Sequence, residues 1–357
     1  MKTRGADKQS AHVSRRAMVT GLLAAPVLVA GLRRAATAEP VLAGIVNTLS
    51  DVGFFVAEAK GYFADEGLDV TLTSFRAAGA MMAPLGSGEL DVGAGSVTAG
   101  IFNANERAIP IRIVADKGRN APDQSYQSIL LRSALADRVK SYGDFKGLRV
   151  AIPTIGSIGE QSVFNEVMKG GGLTYADCEK VFIGIADQIA AFKNGAIDAT
   201  VLSEPLASIT VSQGTTVRFA PVGKVYPFQQ AAVVYYGAPF ATKRPDVARR
   251  FMKAYVRGVR SYTDALVDGH IAGPTADEII AAITRHSLAK DAALIRSSVA
   301  AAVATDGQVN VAGLEKDLAF AKSLGLVPAQ ATVGGILDMS FAKAAAAELG
   351  PYAKAHN

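Results

Sequence analysis

Beyond residue 38 the chain alternates short apolar runs with amphipathic stretches, the pattern of α/β layers with largely parallel sheet. The apolar run at 41–46 predicts a first strand, 54–62 a helix bounded by Gly61 and Gly67, and the alternation at 68–74 a second strand. A helix at 80–87, a short strand at 90–93, a helix at 97–106 and a strand at 111–115 follow. A second unit has strands at 129–132, 149–152, 181–183 and 199–202, with helices at 159–169 and 187–193. The apolar run at 231–236 then reads as a strand returning to the first unit. From Pro245 the pattern turns helical: proline suits a first helical position, and Val247, Phe251, Tyr255, Val259 and Tyr262 recur on one face. Further helices are predicted at 276–285, 290–303, 313–324 and 339–349.

The segment before this domain has a different composition. Ser14-Arg15-Arg16 opens an apolar run from Val19 to Leu32, and Ala36-Thr37-Ala38 closes it with small residues at cleavage spacing. That is a secretory signal, and the paired arginines give it a twin-arginine character, although Met18 stands where that pattern prefers Phe. Cleavage after Ala38 and a periplasmic location are expected. Residues 1–38 carry seven basic side chains against Asp7 alone, so the chain's +5 falls to about −1 without them. A nucleic-acid or polybasic membrane function loses its support. The remaining length suits two domains, and no later run approaches the ~20 apolar residues of a membrane span.

Catalytic and metal-binding constellations are scarce. Cys178 is the only cysteine, so no internal disulfide can form, and it reads as a packing residue. His270, His286 and His356 lie outside ligand spacing of one another, so no metal and no cofactor are expected. Gly156-Ser157-Ile158-Gly159 fails the nucleophile-elbow pattern because Ile155 stands at its first glycine position. Gly93-Ala94-Gly95 begins like a dinucleotide fingerprint, but Gly100 comes too late.

Loops carry the candidate chemistry instead. Gly95-Ser96-Val97-Thr98 and Gly156-Ser157-Ile158-Gly159 each join a strand end to a helix start, where unpaired N–H groups, hydroxyls and close backbone approach favour an anion. The plain alternative is that Ser96 and Ser157 are N-caps. Asn47-Thr48-Leu49-Ser50-Asp51 is a third strand-end loop placed to line the same cleft. Glu204, before Pro205, could meet a cationic or hydrogen-donating ligand group or simply favour a helix N-terminus. Tyr126, Tyr235 and Tyr236 lie near the crossings between the units, and Tyr235 and Tyr236, adjacent on a strand, must face opposite ways.

The chain resembles the nitrate/sulfonate/taurine class of periplasmic substrate-binding proteins of ABC transporters. Segments carrying the resemblance are Gly61-Tyr62-Phe63-Ala64-Asp65-Glu66-Gly67-Leu68-Asp69-Val70 and Ser87-Gly88-Glu89-Leu90-Asp91-Val92-Gly93. Phe145-Lys146-Gly147-Leu148-Arg149-Val150-Ala151, Asn194-Gly195-Ala196-Ile197-Asp198-Ala199 and Glu204-Pro205 follow in order. The resemblance implies a type II binding-protein fold: two α/β lobes joined by two crossing strands, with a helical C-terminal section. Lobe 1 would hold 39–127 and 236–357, and lobe 2 would hold 128–235. Relatives bind through positions that fall here on Ser50, Asp51, Ser96, Val97, Ser157, Ile158, Gly159 and Glu204, and Tyr235 joins these as a candidate wall residue.

With no tryptophan, and with its histidines away from the cleft segments, the chain suits a small organic anion, a sulfonate or carboxylate, better than nitrate or bicarbonate. The implied protein is a monomer, not an enzyme, that closes on its ligand and delivers it to an ABC permease. Two rivals remain at this point. A periplasmic ligand-sensing subunit would look the same, and an enzyme related to thiamine-pyrimidine synthases would need a cysteine-rich motif that Cys178 alone does not supply.

Overall fold

The computed structural model describes residues 38–354 apart from Pro110 and Leu288; residues 1–37, on which the expected export signal falls, and His356 lie outside the described residues. Ten strands form two five-stranded sheets. The first has β1 (Glu39–Ile45), β2 (Leu68–Ser74), β3 (Val92–Gly95), β4 (Arg112–Asn120) and β10 (Gln229–Tyr236), in the order β2-β1-β3-β10-β4. β1 runs parallel to β2 and β3, while β10 is antiparallel to β3 and β4. The second has β5 (Gln127–Arg132), β6 (Arg149–Ile152), β7 (Glu179–Phe182), β8 (Ala199–Ser203) and β9 (Thr216–Pro221), in the order β7-β6-β8-β5-β9. Here β6 is parallel to β7 and β8, and β5 is antiparallel to β8 and β9.

The chain therefore passes between sheets twice, at 121–126 and at 222–228. Because β10 pairs along its length within the first sheet, the return precedes it. The two passages are tied side by side. Phe228 donates its N–H to the Asn120 carbonyl at 2.9 Å, and the Asn120 side-chain amide reaches Gln127 Oε1 at 2.7 Å and Gln229 Oε1 at 3.0 Å. Gly223 donates to Ser125 Oγ at 3.0 Å; a Cβ there would stand 2.1 Å from the Ala121 carbonyl oxygen, so only glycine permits this approach.

The helix Pro245–Asp264 buries the face formed by Val247, Phe251, Tyr255, Val259 and Tyr262, as its spacing predicts. That stripe packs on the helix Val52–Ala59, with the Phe54 and Tyr255 rings 4.9 Å apart, and on the first sheet. β10 divides two cores: Tyr236 enters this one and Tyr235 the opposite one, as adjacent strand residues must. A third core fills the second lobe around Phe145, Phe164 and Met168, and Cys178 is buried in it. Among the described residues no helix is long and apolar enough to cross a membrane.

Some expected elements differ. β9 was not anticipated between 203 and 229, and the helix expected at 290–303 is reduced to Ala292–Ser297. Tertiary hydrogen bonds explain the second: Ala300 donates to the Gly269 carbonyl and Arg119 donates to the Ala302 carbonyl, which holds this stretch outside a helix. β4 runs five residues beyond the expected Ala115, through Asp116 and Lys117, because both charges are satisfied inside the fold. β3 lies at Val92–Gly95 rather than 90–93, since Asp91 instead accepts from the Leu42 N–H at 3.0 Å.

Candidate functional site

The carboxyl ends of β1 and β3, the middle of β4 and, from the second lobe, the carboxyl ends of β6 and β8, the start of β5 and two helix starts converge on one cavity. Its walls include Val46, Thr48, Ser50, Ala78, Ser96 and Lys117 from the first lobe, Tyr126 from the passage between the sheets, and Gln127, Pro153, Glu160, Ile185 and Ser203 from the second lobe. It holds about 380 Å³ of atom-free space. That is the scale of a small-molecule site.

Lys117 anchors the first-lobe wall. Its ammonium is fully buried, 2.8 Å from Asp51 Oδ1 and 2.9 Å from Ser50 Oγ. Burial lowers its pKa and the Asp51 charge opposes that shift. Asp51 is held in turn by the turn that begins at Thr48, whose N–H donates to Asp51 Oδ2 at 2.9 Å. Thr48 Oγ1 also meets Ser50 Oγ at 2.9 Å. Gly118, next on β4, lets Ser50 and Tyr126 press against the strand: a Cβ there would stand 3.0 Å from Ser50 Cβ and 3.2 Å from the Tyr126 hydroxyl. Asp116 points to the other face, where Gln230 at 2.6 Å, Ala304 N–H at 2.6 Å and Arg119 at 3.1 Å satisfy it. Burial still raises the Asp116 pKa.

The two Gly/Ser loops meet each other. Ala99 donates its N–H to the Gly156 carbonyl at 2.9 Å, and Ile158 donates to the Val97 carbonyl at 3.2 Å. Thr98 and Ser157 form the bridge between them. A further backbone bond crosses the lobes from Leu49 N–H to the Glu204 carbonyl at 2.9 Å. The helix starts at Ala99 and Ile158 thus find backbone acceptors across the seam. Neither serine caps a helix through its side chain: Thr98 holds the N-cap position of Ala99–Glu106, and the Ser157 hydroxyl meets Thr154 Oγ1 at 3.0 Å.

The sequence-predicted residues therefore separate by role. Ser50 and Ser96 line the cavity, and Asp51 stands behind as the partner of Lys117. Val97, Ser157 and Ile158 form the seam, and the Gly159 carbonyl accepts from Gln229 Nε2 at 2.9 Å beside the second passage between the sheets. Tyr235 donates its hydroxyl to the Ser96 carbonyl and so supports the wall from behind. Glu204 is buried but faces Arg218 and the Ser208 N–H, not the cavity.

Lys117 and Glu160 were missed by the sequence reading. The available signals were a charged pair continuing an apolar strand and a glutamate one residue after a Gly/Ser loop. Burial holds the Glu160 carboxyl above the ordinary range, while its own backbone and the Ser96 hydroxyl favour the charged form.

Two such sheets closing on one cavity define the periplasmic binding-protein fold. The aliphatic sulphonate binding protein SsuA of Escherichia coli shares it, with TM-score 0.64 and 18% identity over 85% of this chain and 99% of that one. The nitrate-binding protein NrtA of Synechocystis PCC 6803 shares it with TM-score 0.71 and 15% identity over 87% and 89% of the two chains. A zinc-bound ligand-binding component of an ABC-type import system from Staphylococcus aureus matches with TM-score 0.71 and 14% identity over 86% and 99%. The chain belongs to the NMT1/THI5-like family, whose model matches residues 50–265. No curated protein matches it in sequence.

Proposed function

We propose that this protein is an exported substrate-binding protein that captures a small organic anion between its lobes and delivers it to an ABC permease in the inner membrane. The observation that carries this reading is the interlobe cavity with a buried lysine in its wall. The Lys117 ammonium has three N–H donors and spends two, on Asp51 and Ser50, so a third is free for a ligand oxygen. The Ser50 and Ser96 hydroxyls line the wall beside it. A sulfonate or carboxylate would be held by directed hydrogen bonds, because Asp51 already balances the lysine charge.

Closure couples binding to recognition by the permease. Ligand contacts from both lobes favour the form in which Ala99–Gly156, Ile158–Val97 and Leu49–Glu204 are hydrogen-bonded across the seam. The test is thermal melting of the purified chain against alkanesulfonates and carboxylates. A ligand at a hundred times its Kd should stabilise by about 2.7 kcal/mol. The shift should shrink in Ser96→Ala; a panel in which no anion stabilises the protein would refute the anion reading.

A further inference from the structure

Glu160 is the part of this cleft that a simple anion leaves unused. It lies in the first turn of the helix Ile158–Gly170, is 7% exposed and forms part of the cavity wall. Its Oε2 is buried with no hydrogen-bond partner among the described residues. Asp51 is matched with Lys117 and Glu204 with Arg218, and Asp317, also buried, accepts from the Tyr226 hydroxyl. Glu160 has only the Ser96 hydroxyl and its own backbone as favourable partners. A buried carboxyl oxygen without a partner is costly, and on a residue that lines a ligand cavity it marks a place where a ligand can supply the missing donor. An anionic oxygen beside it would be repelled, whereas an ammonium or another N–H group would form a charge-assisted bond.

We propose that Glu160 is a specificity-determining residue that receives a cationic or N–H-bearing nitrogen of the ligand. This rests on the binding reading above and deepens it: the ligand's anionic end sits at Lys117 and Ser50, and its nitrogen at Glu160 beside Ser96. The preferred ligands are then small zwitterions rather than plain acids. The contact spans the seam, since Ser96 belongs to the first lobe and Glu160 to the second, so a nitrogen bound there also draws the lobes together.

The test is calorimetric titration of the full chain with matched probes: 4-aminobutyrate against butyrate, 3-aminopropanesulfonate against propanesulfonate, and propylammonium alone. In the wild type the amino member of a pair should bind at least about tenfold more tightly, the low end of a hydrogen bond to a charged group. Glu160→Gln should reduce it to the affinity of its amine-free partner, which should itself be unchanged or improved. Plain acids binding as tightly as their amino partners in the wild type would overturn the role of Glu160 and leave the anion reading standing. Propylammonium binding where both acids of each pair fail would overturn the anion reading and keep Glu160. Failure of every probe would overturn both. The wild-type comparison decides even if the variant folds poorly. The unliganded melting temperature of Glu160→Gln, expected at or above wild type, separates a binding loss from a folding one.

Discussion

Replacing Asp317 with asparagine should make the protein's stability less sensitive to pH, with a magnitude set by the structure. Asp317 lies on the helix Val311–Ser323, which follows the return to the first lobe yet packs against the second. It is fully buried; Oδ1 accepts from the Tyr226 hydroxyl at 2.9 Å, and Oδ2 has no partner among the described residues. Its charged surroundings are Glu160, which disfavours ionisation, and Lys316, which favours it while bridging to Glu166 at 2.8 Å. Burial dominates and pushes the Asp317 pKa from 3.8 up to about 7.

The folded state therefore binds this proton more tightly than the unfolded state. Stability is full below about pH 4 and falls as pH rises towards 7. A shift of about three units, at about 1.4 kcal/mol each, makes the total loss roughly 4 kcal/mol. Asparagine cannot ionise, so Asp317→Asn should gain about 2–4 kcal/mol on wild type between pH 4.5 and 8. Urea unfolding at those two pH values measures the gap directly, and any constant offset from the new amide cancels. A gap that is equal at both pH values would refute the account, because it would mean that Asp317 does not change its protonation on folding.

Other substitutions separate the roles assigned in the cleft. Asp51→Asn leaves the buried Lys117 ammonium without its countercharge and should cost about 3–5 kcal/mol, with Asp51→Asn/Lys117→Met recovering part of that loss. Additive effects in this cycle, read by denaturant unfolding, would show that the pair does not act as a unit. Because Glu204 faces Arg218 and not the cavity, Glu204→Gln should lower stability by about 1–2 kcal/mol and leave ligand affinity within about twofold. A tenfold loss of affinity in that variant would instead place Glu204 at the ligand.

Local pattern was enough to read much of the architecture. The helical stripe from Val247 to Tyr262 names its own buried face, and the strands at 68–74 and 149–152 carry their bounds in their apolar runs. The opposite orientations of Tyr235 and Tyr236 follow from strand geometry alone. Strand-end loops also led to Ser50 and Ser96, because a loop between a strand and a helix start has few places to go except the rim of a sheet.

Tertiary structure decided how the charges are used. Asp116 and Lys117 look like the end of β4 because charge reads locally as exposure; their partners, Asp51, Gln230 and the Ala304 N–H, come from distant parts of the chain. Glu204 and Glu160 look alike in sequence, each near a helix start, yet Arg218 claims one and the cavity receives the other. The helix starts that promised free N–H groups bond to each other once the lobes meet. Apolar periodicity is a local property and sets the elements, whereas the solvation of a charge depends on every group brought near it. The sequence alone therefore determined the layers and the loops at their rim, and only the folded arrangement determined which side chains face the cavity.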